Sequence, residues 1–132
     1  MKIKDPFLFK KIKEYMTTYL PIIRRRSINT VNSNKEAMNL FLLYLRDTQK
    51  KGLPDITITD FCQANIVGFM DWLGHERGNA ATTINQRLSH IRSFCKYLMK
   101  NDALSYSDLD RINDIGRIKD NRSKEFTWLS IE

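Results

Sequence analysis

The sequence predicts an all-α protein, a small bundle of four main helices followed by a C-terminal arm. Apolar residues recur three and four positions apart along four long stretches, which is the period of an amphipathic helix. One short run, residues 56–59, alternates like a strand, but no second run offers it a partner. The length of 132 residues, with 42% hydrophobic and 28% charged residues, suits one compact domain with an arm. We therefore expect a helical domain over residues 1–113 and an arm over residues 114–132.

The first helix is predicted to span residues 6–19. Asp5 offers an N-cap acceptor, and Pro6 suits the first helical position. Pro21 disfavours a helical conformation at the residue before it, so the helix is expected to end there. The basic residues 22–29 are then predicted to form a connector. The apolar stripe of this helix consists of Leu8, Ile12, Tyr15, Met16, Tyr19 and Leu20.

A long second helix is predicted over residues 31–50, with Thr30 as its N-cap and with Gly52 and Pro54 ending it. The C-terminal half of this helix is apolar on most sides. That pattern is typical of the central helix of a bundle. The β-branched residues 55–62 are predicted to form an extended linker rather than a strand.

Two more long helices and a short one complete the predicted bundle. The third helix is expected over residues 63–77, ended by a Gly-Asn pair, and the fourth from Thr82 or Thr83 to about Lys100. A short fifth helix is predicted over residues 105–113. The fourth helix has the clearest apolar stripe, which steps by four and three through Ile84, Leu88, Ile91, Cys95 and Leu98.

Several classes of function lack their sequence signatures. Cys62 and Cys95, with His75 and His90, match no metal-ligand spacing and are predicted to be two half-buried thiols in a reducing compartment. The five glycines fit neither a P-loop nor a dinucleotide-binding motif, and no GxSxG motif is present. The longest apolar run, residues 40–45, is too short for a membrane span, and lysines interrupt the N-terminal segment where a secretory signal would lie. We expect a cytoplasmic, non-enzymatic domain without a metal or cofactor.

The positive charge of the chain is clustered. The net charge is +7, yet residues 22–35 and 80–100 together hold eight Lys and Arg and no acidic residue. The rest of the chain therefore has a net charge of −1. Clustered cations are what a polyanion-binding surface needs, although solvated helix faces also give such clusters.

The candidate binding residues lie on the polar sides of the second and fourth helices. Their hydroxyl, amide, guanidinium and imidazole groups are those that contact phosphates and base edges. A helix N-terminus beside them favours a phosphate. The alternative is a solvated helix face with a good N-cap. The candidates are Thr82, Thr83, Gln86, Arg87 and His90 on the fourth helix, and Thr30, Asn32, Ser33 and Lys35 on the second.

Several motifs, in collinear order, resemble the N-terminal core-binding domain of tyrosine recombinases, the phage integrase family. They comprise residues 69–79, 82–88 and 91–94, preceded by Tyr19-Leu20-Pro21, by Ser27, Thr30 and Val31, and by Phe41, Tyr44 and Leu45. Residues 126–130 are similar to the segment that begins the family's catalytic domain. Each motif is short, and it is their shared order that makes the resemblance specific.

The resemblance implies a SAM-like bundle that forms one half of a C-shaped clamp around a DNA recombination site. Carried over position by position, the family's DNA-facing places coincide with the nine candidates above, although Asn32, Ser33 and Asn34 differ from the commoner Lys, Tyr or Arg. The family's tyrosine nucleophile and its Arg, Lys and His partners belong to a C-terminal catalytic domain, and none of that motif occurs in this chain. The resemblance predicts no catalytic residue here.

The leading hypothesis is therefore a DNA-binding domain of a site-specific tyrosine recombinase, or integrase, which acts in DNA integration and recombination. Its expected partners are double-stranded DNA, its own C-terminal catalytic domain and further copies of itself, assembled as a tetramer on DNA. One alternative is a helical protein-interaction module whose basic faces bind an acidic partner. Another is a small helix-turn-helix transcription factor, against which the long linkers argue.

Overall fold

The computed structural model describes residues 2–119, and within them it contains helices and no strand, which confirms the all-α prediction. Residues 126–130, which resemble the start of a catalytic domain, lie outside this range. None of the helices described is both long and apolar enough to cross a membrane. The helices are α1 (Pro6–Glu14), which continues as a π-helix (Tyr15–Ile23), α2 (Ile28–Gln49), α3 (Gln63–His75), α4 (Ala81–Lys100) and α5 (Tyr106–Asn113).

The first helix was predicted to end before Pro21, and this prediction was wrong. The helix continues through Pro21 to Ile23. Asp5 caps the helix as expected, and its carboxylate accepts a hydrogen bond from the Leu8 N–H at 3.1 Å. Proline breaks an α-helix because its ring meets the carbonyl four residues earlier. The wider π-helical turn relieves that clash, and its five-residue step appears where the Arg24 N–H donates to the Tyr19 carbonyl at 2.8 Å.

The second helix begins three residues before the predicted start. Ser27, not Thr30, is its N-cap, since the Ser27 hydroxyl accepts a hydrogen bond from the Thr30 N–H at 3.2 Å. Both residue types favour this position, but Ser27 has the extended backbone that a cap requires. The last helical residue is Gln49. Lys50 is the C-cap, and it adopts the left-handed conformation with φ 59° without help from Gly52.

The segment between α2 and α3 is folded into two 3₁₀ turns (Leu53–Asp55 and Ile58–Asp60), so the prediction of an extended linker was wrong. Asp60 organises it from a buried position: its carboxylate accepts hydrogen bonds from the Thr57 N–H at 2.9 Å and from the Lys51 ammonium at 2.6 Å. A charged cap of this kind competes with the extended form that the β-branched residues favour alone.

The last three helices follow the prediction closely. Helix α3 is two residues shorter than expected, and Gly78, with φ +64°, forms the left-handed turn after it. Helix α4 begins one residue before Thr82, and its apolar stripe faces the core. The Ser105 hydroxyl caps α5 by accepting a hydrogen bond from the Asp108 N–H at 3.0 Å.

Helix α2 packs against α3, α4 and the π-helix, as a central helix should. Phe41, fully buried on α2, joins an aromatic cluster with Tyr44, Phe61 and Phe69. A second cluster connects the π-helix to α4 through the rings of Tyr15, Tyr19, Phe94 and Tyr97. The two clusters hold α2, α4 and the π-helix in fixed positions around one core.

The start of the predicted arm packs back onto α4. The Asn85 side chain, which is buried, donates to the Ile118 carbonyl at 2.8 Å and accepts from the Ile118 N–H at 2.7 Å. Arg92 donates to the carbonyl of Ile115, whose side chain is buried. These hydrogen bonds fix the direction in which the chain leaves α5.

Candidate nucleic-acid interface

Helices α2 and α4 lie side by side and run in opposite directions. The Arg87 guanidinium reaches the Glu36 carboxylate at 3.4 Å, while His90, one turn further along α4, lines the same cavity as Thr30 of α2. The later residue of α4 thus lies near the earlier residue of α2, which makes the two helices antiparallel. This arrangement places Arg87 and His90 of α4 beside the first half of α2.

The polar residues of α4 form two parallel strips. Thr83, Arg87 and His90 are half-buried and lie on the side toward α2. Thr82 and Gln86 are exposed and begin an outer strip that steps by four and three residues, within an arc of about 80° around the helix. We name this the outer strip: Thr82, Gln86, Ser89, Ser93, Lys96 and Lys100.

Sequence reasoning found the first two members of the outer strip and missed the other four. The signal was available, because the polar residues repeat the four–three step of the apolar stripe on the opposite side of the same helix. The outer strip contains hydroxyls, an amide and two ammonium groups, and no acidic residue.

The four candidates on α2 do not share one strip. Thr30 and Ser33 are half-buried, and Asn32 and Lys35 are exposed. Lys35 lies about 160° from Ser33 around the helix, so the two residues cannot face the same surface. Of these four, Thr30 is the one that lines a cavity together with an α4 candidate.

An ion pair between Arg87 and Glu36 connects the two helices, and sequence reasoning missed the acidic partner. The Arg87 side chain is 13% exposed and that of Glu36 63%. Glu36 is the first acidic residue after Glu14, and it follows Asn32 by one helical turn. It therefore places a negative charge on an otherwise basic face.

His90 is a neutral hydrogen-bonding group at pH 7. Burial lowers its pKa from the usual 6.5, and the nearby Arg87 guanidinium lowers it further. Its Nε2 atom is buried, and no group among the described residues forms a hydrogen bond with it. This nitrogen is therefore a hydrogen-bonding group whose capacity is unused among the described residues.

In the free protein, we expect the His90 imidazole to titrate with a midpoint below 6.5. The unfolded chain takes up the proton at higher pH than the folded one, so His90 should lower the free energy of unfolding as the pH falls below 6.5. Following the His90 ring signals by NMR between pH 4 and 8 checks this. A midpoint at or above 6.5 would show that burial and the Arg87 charge do not disfavour the protonated ring.

The described residues form no arrangement typical of a metal or nucleophilic site. No three His, Cys, Asp or Glu side chains among residues 2–119 lie close enough to bind one metal ion. Burial raises the pKa of the Cys95 thiol to about 12, and burial likewise raises the pKa of Tyr15 to about 12. Both groups are therefore protonated and unreactive at neutral pH.

Comparison with known proteins identifies the family. Residues 12–102 match the model of the phage integrase N-terminal SAM-like domain. The chain belongs to this family. The integrase domain described here has curated relatives, among them tyrosine recombinase XerC of Pediococcus pentosaceus, 31% identical over 94 residues, which are 71% of this chain and 30% of the relative. The resemblance seen in the sequence motifs is thereby confirmed.

Two further relatives give the same result. Tyrosine recombinase XerD of Oceanobacillus iheyensis is 34% identical over 88 residues, which are 66% of this chain and 28% of XerD. A putative integrase/recombinase of Sinorhizobium fredii is 25% identical over 101 residues, which are 76% of this chain and 36% of that protein. The integrase domain thus matches about a third of each relative's length. No solved structure matches it.

Proposed function

We propose that this integrase domain binds duplex DNA at a recombination site through the face formed by α2 and α4. The observation that carries the proposal is the outer strip, six exposed polar and cationic residues along one helix without an acid among them. Helix α4 has 20 residues, and an α-helix of that size fits the major groove of B-DNA.

The chemistry of each group suggests its contact. The Gln86 amide can bond an adenine edge in two places, whereas the hydroxyls suit either phosphates or bases. The lysines at the end of the outer strip suit phosphates. The proposed contacts are Thr82, Thr83, Gln86, Arg87, His90, Lys96 and Lys100 on α4, and Thr30, Asn32 and Ser33 on α2. Lys35, about 160° from Ser33 around α2, faces away from it and is left out of the proposal.

A second part of the proposal concerns the full-length recombinase in which such a domain acts. Two of the relatives are named tyrosine recombinases and the third a putative integrase/recombinase, and each is about three times as long as the matched stretch. We propose that the domain forms half of a clamp, that strand breakage and rejoining belong to a separate catalytic domain, and that copies assemble on DNA as a tetramer. In this arrangement the domain supplies DNA binding and no catalytic group.

The test is a salt titration of binding to a labelled 20-base-pair duplex. We expect non-specific dissociation constants of about 10⁻⁴–10⁻⁶ M at physiological salt and an affinity that falls steeply as salt rises. The variant Gln86→Ala should bind more weakly than the unaltered chain, with little change in the salt slope, because it removes a neutral contact.

Polyglutamate serves as the competing polyanion. If the domain instead binds an acidic protein partner, polyglutamate of equal charge concentration should displace the duplex as well as unlabelled DNA does. That result, or the absence of any duplex binding at low salt, would contradict the proposal.

A further inference from the structure

A groove opens where the π-helix, the start of α2 and the C-terminal half of α4 meet. Its volume is about 300 Å³, and polar side chains form more of its wall than apolar ones. Four cations stand around it, Arg24 and Arg26 from the connector and Lys96 and Lys100 from α4. We name this the cationic groove.

The four cations have no acidic counterpart in the part of the chain that the structure describes. All are exposed, none lies within 4 Å of a carboxylate, and no acidic residue lines the groove. Many other cations among the described residues also lack a carboxylate within 4 Å, and the groove differs from them in gathering four such cations around one depression. Four like charges around one depression repel one another and favour an anion between them.

The groove is held in place by the fold. The Arg26 N–H donates to the Leu20 carbonyl at 2.8 Å, and Arg25 adopts a left-handed conformation with φ 52°, so the connector turns sharply at the end of the π-helix. Tyr15, Tyr19 and Tyr97 form its aromatic wall, and their rings lie 4.6 to 5.7 Å apart. The π-helical extension past Pro21 thus leads the chain to a point where the two arginines line the same cavity as Lys96 and Lys100 of α4.

We infer that the cationic groove binds phosphodiester groups of the same duplex whose bases the outer strip faces. This inference rests on the proposed function and adds a second point of contact to it. Lys96 and Lys100 belong to both surfaces, and Thr30 and His90 line the groove, so the two surfaces are continuous. From Thr82 to Lys100 the outer strip extends about 27 Å, the length of about eight base pairs. The groove contacts phosphates only, so it supplies affinity and no sequence preference.

The test compares two double variants with a matched control. Lys96→Gln/Lys100→Gln and Arg24→Gln/Arg26→Gln each remove two charges from the groove. Lys4→Gln/Arg46→Gln removes two exposed charges near the other end of α2, where Lys4 donates from its backbone to Pro54. Circular dichroism verifies that each variant keeps its helices.

Each groove variant should lower the slope of log affinity against log salt by up to about 1.8, since each phosphate contact contributes about 0.9. At 0.1 M salt this corresponds to a loss of about eightfold per contact. The control variant should retain the slope of the unaltered chain. Gln86→Ala should weaken binding without this change in slope.

Three other results would overturn the inference. If groove variants bind the duplex as the control does while Gln86→Ala weakens binding, DNA contacts the outer strip alone and only the proposed function survives. In a second outcome, inorganic phosphate shifts the backbone NMR signals of Ser93 and Lys96 with saturation at millimolar concentration, while the groove variants still bind DNA normally. The groove would then bind a free anion and not the duplex. If no form of the chain binds duplex, the inference fails together with the proposed function.

Discussion

Replacing Gly68 with alanine should lower the free energy of unfolding by about 1–3 kcal/mol, although alanine is ordinarily the better helix former. Gly68 lies in the middle of α3, against Tyr44 of α2. A Cβ atom at this position would overlap the Tyr44 hydroxyl and lie 3.2 Å from its Cζ atom. The close approach of α2 and α3 therefore depends on the missing side chain.

Tyr44 cannot easily move away from such a methyl group. Its ring centroid lies 6.1 Å from that of Phe41, 5.9 Å from that of Phe69 and 5.8 Å from that of Trp72, and all three rings are themselves buried. In a core packed at this density, one displaced ring displaces its neighbours. The added methyl group should thus strain the aromatic cluster or push α3 away from α2.

Urea denaturation of the unaltered chain and of four variants tests this explanation: Gly68→Ala, Tyr44→Phe, the double variant that combines them, and Gly74→Ala. Tyr44→Phe removes the overlapped oxygen, so the double variant Tyr44→Phe/Gly68→Ala should recover part of the lost stability. Gly74→Ala is the matched control on the same helix, because its Cβ would meet Ile84 Cδ1 at an ordinary 3.5 Å. We expect that control to be neutral or up to about 1 kcal/mol more stable. If Gly68→Ala behaves like Gly74→Ala, the two helices do not meet as described.

The interior of each helix was predictable from the sequence, and several helix ends were not. The apolar stripe of α4 and the cap at Asp5 depend on neighbouring residues only, so a local pattern suffices for them. The end of the first helix depends on whether the chain tolerates a π-helical turn at Pro21, which the packing of Tyr15 and Tyr19 against α4 decides. Tertiary contacts here outweigh the local preference of proline.

For the candidate site, too, relations within one helix were predictable from the sequence, and contacts between distant segments were not. Helical spacing placed Thr83, Gln86, Arg87 and His90 on one polar side of α4, because that relation lies within one helix. It did not separate the exposed Gln86 from the other three, which are half-buried. The pairing of Arg87 with Glu36 joins residues 51 positions apart, and the sequence contains no local signal for it. The cationic groove likewise combines residues of the connector with residues of α4, which only the folded chain brings together.

Replacing Glu36 with glutamine should raise the affinity for duplex DNA about eightfold at 0.1 M salt and steepen the salt slope by about 0.9, provided that Arg87 then contacts a phosphate. In the free domain the Glu36 carboxylate holds one guanidinium nitrogen of Arg87 at 3.4 Å. A phosphate that approaches this face must displace the carboxylate or remain distant from it. The free energy of unfolding should also fall, because Glu36 is 63% exposed but the Arg87 side chain that it pairs with is only 13% exposed and loses its charged partner.

Two further variants separate release of Arg87 from simple loss of a negative charge. Asp47→Asn removes an acid near the far end of α2, about 16 Å along the helix from Glu36, where it pairs with Arg46 at 3.7 Å. Its affinity should stay close to that of the unaltered chain. In the Arg87→Gln background, Glu36→Gln should lose most of its gain if Arg87 is the group that binds phosphate. A gain that persists there would mean that Glu36 acts by repelling DNA and that Arg87 serves only to join α2 to α4. An affinity that does not rise at all would place the duplex away from this face.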